Sequence, residues 1–99
     1  MKKIYPLAIE GKHPDRILDA IKHDIRKYIK RERSRALLPG VDFWDFDCRV
    51  GATELDSAIA HVAELNRLVD AVAQAGGTGI YVEILAKHGN RKASAAQQA

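Results

Sequence analysis

The chain is expected to fold as an α+β domain, with two helices packed on one face of a small sheet. Three observations lead there. Residues 43–50 alternate: Trp44, Phe46, Cys48 and Val50 fall on one side of an extended strand, and Asp45, Asp47 and Arg49 on the other. Residues 80–87 alternate as well, with Ile80, Val82, Ile84 and Ala86 on one side and Tyr81, Glu83, Leu85 and Lys87 on the other. Two further segments place apolar residues at helical spacing: Ile17, Leu18, Ile21, Ile25, Tyr28 and Ile29 in one, and Val62, Leu65, Leu68, Val69 and Val72 in the other. Strands and helices that each have a single apolar side bury it by forming two layers.

Taken in order, residues 4–9 read as a first strand in which Tyr5, Leu7 and Ile9 share a side. Pro6 has no N–H to give a ladder, so this strand belongs at an edge or begins irregularly. Residues 10–13 form a turn. Pro14 opens the first helix, where a missing N–H costs nothing, and Asp15 follows it at the positive end of the dipole. Pro39-Gly40 is the expected stop. About 23 residues at 1.5 Å each give a helix of roughly 35 Å, longer than so small a domain covers. Its end, around residues 31–35, is therefore expected to project or bend.

After the strand at 43–50, residues 51–56 form a loop. Residues 57–60 are either a short return strand or an early start to the second helix, which is clear from Val62 and ends at Gly76-Gly77. A return strand gives the order β-α-β-β-α-β, the ferredoxin-like arrangement. Without it the order is β-α-β-α-β. The first is favoured, although it places the first strand centrally, against the indication of Pro6. Residues 1–88 then make a single domain, and the small, polar residues 89–99 a disordered tail.

Composition bounds the function classes. Ninety-nine residues hold one core, and 46% hydrophobic with 29% charged residues is ordinary for a globular chain. No apolar run approaches the roughly 20 residues that span a bilayer, and the N-terminus lacks the apolar segment of a signal peptide. A single cysteine forms no internal disulfide. These features point to a cytoplasmic location with no membrane partner.

The net charge of +3 is unevenly spread. Residues 22–35 carry seven cations (Lys22, Arg26, Lys27, Lys30, Arg31, Arg33 and Arg35) against Asp24 and Glu32, which leaves the remainder of the chain slightly acidic. Lys22, Arg26, Lys30 and Arg33 form a ridge along the first helix, beside Lys27 and Arg31. Such a ridge tracks phosphates, and Lys22, Arg26, Lys27, Lys30, Arg31 and Arg33 are the candidate contacts to RNA, DNA or an acidic protein. A lysine- and arginine-rich helix also serves simply as a solvated surface.

The second candidate is the open side of the sheet. Asp45 and Asp47 point the same way, about 6.5–7 Å apart, and Glu83 joins them if the two strands are neighbours. Three carboxylates with Lys87 nearby would suit Mg²⁺- or Mn²⁺-assisted phosphoester chemistry. The plainer expectation is cross-strand pairing of the aspartates with Arg49 and Lys87. Cys48 is expected inside as a small hydrophobe. His13 and His61 each precede a helix, where capping accounts for them, and the four histidines lack metal-ligand spacing. No catalytic residue and no resident cofactor are assigned. A binding module is favoured over an enzyme, with the metal-dependent phosphoesterase and an assembly protein joined through the open face as alternatives.

Three strings, Ile9-Glu-Gly-Lys-His-Pro-Asp-Arg16, Val41-Asp-Phe-Trp-Asp-Phe-Asp-Cys-Arg49 and Tyr81-Val-Glu-Ile-Leu-Ala-Lys87, resemble a family of small bacterial proteins of unknown function. The likeness runs to about Asn90. It implies a stand-alone bacterial cytoplasmic domain and brings no substrate, cofactor or active site with it.

Overall fold

Ile17, Ile21, Ile25 and Ile29 recur every fourth residue and set one side of the first helix against the sheet, all four buried. In the computed structural model, which describes residues 1–90, that helix is α1, Pro14–Arg33, with proline in its first turn. The other elements are β1 (Lys2–Pro6), β2 (Phe43–Gly51), β3 (Ala58–Ala60), α2 (Leu65–Gln74), entered through a 3₁₀ turn at Val62–Glu64, and β4 (Gly79–Gly89). Residues 57–60 thus supply the return strand, and the order β-α-β-β-α-β is present.

The sheet is antiparallel throughout, in the order β1-β4-β2-β3. Each helix therefore connects two strands that have a third inserted between them: β4 between β1 and β2, and β2 between β3 and β4. The first strand lies at an edge rather than at the centre, the position that the missing N–H of Pro6 demands. It is shifted towards the N-terminus of the expected 4–9, and just beyond its end the Leu7 N–H donates to the Thr78 carbonyl at 2.9 Å.

Both alternating patterns take the sides expected of them. Phe46, Cys48 and Val50 from β2 and Ile80, Val82 and Ile84 from β4 meet Leu65, Val69 and the α1 isoleucines in one buried cluster. β4 continues to Gly89, which pairs with Phe43, and the rest of the expected tail, residues 91–99, lies outside the described residues. Both histidines expected as caps are caps: His13 Nδ1 accepts from the Asp15 N–H at 3.2 Å, and His61 Nδ1 from the Ala63 N–H at 3.1 Å.

The β2–β3 loop folds back tightly on Gly51. A β-carbon there would lie 2.6 Å from Ser57 Cα and 2.7 Å from the Asp56 carbonyl oxygen, both backbone atoms that cannot step aside. Gly51→Ala is expected to cost about 1–3 kcal/mol, the usual penalty for forcing atoms into a packed region, measured as a lower urea midpoint.

Candidate nucleic-acid interface and the open sheet face

Because the isoleucine stripe faces inward, the cations of α1 face outward. Lys22 is the exception, since its ammonium lies 2.7 Å from Asp70 and ties α1 to α2. Arg26, Lys27 and Lys30 are exposed and form no ion pair among the described residues. The next three arginines lie over aromatic rings: Arg31 at 5.3 Å from the centre of Tyr28, Arg33 at 5.5 Å from Phe46 and Arg35 at 4.8 Å from Trp44.

At the expected projection or bend of α1, the chain turns and the helix ends early. It stops at Arg33 rather than at Pro39, with the Ser34 hydroxyl donating to the Lys30 carbonyl at 2.8 Å. Arg35 donates back to Glu32 at 2.8 Å and holds that carboxyl below its ordinary range. The Trp44 indole N–H then donates to the Arg35 carbonyl at 2.9 Å. The aromatic pattern of β2 and the basic pattern of α1 are thus one feature, in which the strand's rings anchor the helix's last arginines. No spacing rule would have found this, because the partners are joined only by the fold.

Beside this end, a groove of about 530 Å³ separates α1 from the 3₁₀ turn before α2. Arg26, Lys30 and Arg33 form one wall, Val62 and Ala63 the other, with Ile29 and Ser34 between them. Every charged residue lining it is a cation.

The open face carries the residues expected of it, in a different grouping. Register sets Asp45 opposite Lys87, Asp47 opposite Leu85, and Arg49 opposite Glu83, which is in turn opposite Lys2. Lys87 serves both aspartates, 2.7 Å from Asp47 and 3.9 Å from Asp45, and its hydrogen bond to Asp47 raises its pKa. Arg49 does not join them. It donates to the Ser57 hydroxyl at 3.1 Å and the Ser57 carbonyl at 2.9 Å, and so secures the β2–β3 loop.

Glu83 stands about 7–8 Å along the diagonal from Asp47 and has its own partners. It accepts from the Tyr81 hydroxyl at 2.6 Å and lies 4.0 Å from the Lys2 ammonium. Tyr81 is covered by the loop, 3% exposed, with Glu54 a further 3.3 Å acceptor. The hydrogen bond to Glu83 is the main reason its phenol pKa is raised. The three carboxylates expected to share a cation line one recess of about 710 Å³ with Arg49 and Lys87, but Lys87 takes the aspartates and Tyr81 and Lys2 take Glu83, and among the described residues no three His, Cys, Asp or Glu form a metal-holding group. Cys48 is 2% exposed, and burial pushes its thiol up to about 11. His88 lies 5.3 Å from Trp44, ring centre to ring centre. Among the described residues no helix is long and apolar enough to cross a membrane.

The model of a family of unknown function (DUF6172) matches residues 1–95. No curated protein and no solved structure matches the chain.

Proposed function

The chain belongs to this family of unknown function, and we propose from its own surface that it is a small nucleic-acid-binding module that grips the phosphate backbone with the second half of α1. The groove walled by Arg26, Lys30 and Arg33, with no carboxylate in its lining, carries this reading. Arg26, Lys27, Lys30, Arg31 and Arg33 span seven residue steps, about 10 Å of helix. A duplex offers one charge per roughly 1.7 Å of axis, so a stretch of that length meets several phosphates. The planar guanidinium of Arg33 is held over Phe46 beforehand, so less side-chain freedom is lost on contact. Lysine and arginine side chains along a helix address phosphates, so the recognition proposed is of backbone rather than of sequence.

Fluorescence anisotropy with labelled single-stranded RNA and duplex DNA tests it. With about four phosphates neutralised, affinity should fall roughly a hundredfold between 50 and 200 mM salt. Reversing Arg26, Lys27 and Lys30 to glutamate should weaken binding at 50 mM by a similar factor and flatten the salt dependence. No binding at low salt, or equal binding by the triple variant, rejects the proposal. A polyglutamate peptide that binds more tightly than RNA of equal charge assigns the surface to acidic proteins instead.

A further inference from the structure

A second recess lies at the other end of α1. A cleft of about 750 Å³ opens between β1 and the first half of the helix, within the range of roughly 300–1,000 Å³ typical of small-ligand sites. We propose that it binds a small organic anion, a phosphate or carboxylate head on an apolar body of about ring size.

The cleft exists because the helix is narrow where it faces β1. Ala20 puts only a methyl group into the gap, and the floor is left to Ile17, Ile21 and Tyr5, which are 6%, 2% and 7% exposed. That floor suits an apolar body. Lys3, Lys12 and Arg16 stand round it, with Asp24 the single opposing carboxylate in the lining. Asp24 is already engaged, lying 3.5 Å from the Lys3 ammonium and accepting from the Tyr5 hydroxyl at 3.3 Å. Lys12 and Arg16 have no ion pair among the described residues. Lys12 precedes the N-cap of α1 and Arg16 stands in its first turn, where the helix dipole disfavours cations. An anion between them would neutralise both, while its apolar part covers Ile4 and Ile9, the exposed and half-buried isoleucines of the lining. The residues are separate from the Arg26, Lys30 and Arg33 groove, so this site stands or falls independently of nucleic-acid binding.

The test is a titration of ¹⁵N-labelled full-length protein with phenyl phosphate, benzoate and inorganic phosphate, followed through backbone amide shifts. Phenyl phosphate or benzoate should shift the amides of residues 11–21 in a saturable way. Inorganic phosphate should bind at least about tenfold more weakly, because it leaves Ile4 and Ile9 in the lining uncovered. Which aromatic anion binds tighter identifies the head group. The double variant Lys12→Ala, Arg16→Ala should lose the response. Ala20→Leu should also lose it, by filling the cleft with a good helix former on an exposed helix position, and its melting temperature reports that the fold is intact. The proposal is overturned if neither aromatic anion shifts these amides up to about 10 mM, if inorganic phosphate binds equally well, or if both variants respond as the wild type does.

Discussion

Replacing Ile84 with alanine is expected to lower the unfolding free energy by about 3–4 kcal/mol, within the roughly 2–5 kcal/mol typical for truncating a buried isoleucine. Ile84 is completely buried and lies on β4, which is hydrogen-bonded on both edges. Its Cα partner is Cys48 on one side, and on the other its N–H donates to the Met1 carbonyl at 2.8 Å. A strand held from both sides cannot move inward to close the cavity that truncation leaves, so the cost should fall in the upper part of the range. For a domain whose total stability is about 5–15 kcal/mol, this removes a large share and lowers the melting temperature by at least about 10 °C. Leu85 is the control. It is the next residue along the same strand, on the open face and 41% exposed, so Leu85→Ala should cost under about 1 kcal/mol. Urea unfolding at constant m-value checks both. Equal losses at the two positions would mean that β4 does not present alternate residues to core and solvent.

That contrast rests on alternation, which is a property of neighbouring residues and so is legible in the sequence. Period-two and period-3.6 patterns place Phe46, Cys48 and Val50, Ile80, Val82 and Ile84, and the α1 isoleucines on their correct sides. Pro6 puts β1 at an edge for an equally local reason, the lack of a donor. Pairing between distant segments is what local patterns do not carry. Arg49 and Lys87 are equivalent by sequence as partners for the aspartates, and only the register and the path of the β2–β3 loop divide them, Lys87 going to Asp47 and Asp45 and Arg49 to Ser57. The same holds for the end of α1. Pro39-Gly40, the local stop signal, predicts a longer helix, and nothing local announces that Trp44 will take the Arg35 carbonyl and bring the chain back to the sheet. The candidate site is therefore readable in the sequence as a list of residues but not as a groove, since its second wall, Val62 and Ala63, begins nearly thirty residues beyond Arg33.

Raising the pH from 8 to 11 is expected to remove at least about 2–3 kcal/mol of stability, through Cys48 first and Tyr5 second, with the raised phenol of Tyr81 acting in the same direction above pH 10. Burial, with the charges of Asp47 and Asp45 behind it, pushes the Cys48 thiol from 9.0 up to about 11. Burial and the charge of Asp24 push the Tyr5 phenol from 10.0 to about 12. Below about pH 8 both groups are protonated in the folded and the unfolded chain, so their contribution there is constant. Above the unfolded values the unfolded chain releases protons that the folded chain still holds, and stability falls with each step of pH. The window is about pH 9–11 for Cys48 and 10–12 for Tyr5, at up to about 1.4 kcal/mol per pH unit for each group. Tyr5 should give less than this, since its hydroxyl bonds to an Asp24 side chain that is 44% exposed and partly screened. The two windows separate the contributions. Cys48→Ala should flatten the decline mainly between pH 9 and 10, because the unfolded thiol titrates about one pH unit below the unfolded phenols, and Tyr5→Phe should flatten it mainly above pH 10. Each substitution also shifts stability by a constant amount, so the slope of urea midpoint against pH is the readout. A wild-type midpoint unchanged to pH 11 would mean that the thiol ionises freely in the folded protein. Cys48 would then face solvent, β2 would have the opposite parity, and Asp45 and Asp47 would be pointing into the core, where neither could remain charged.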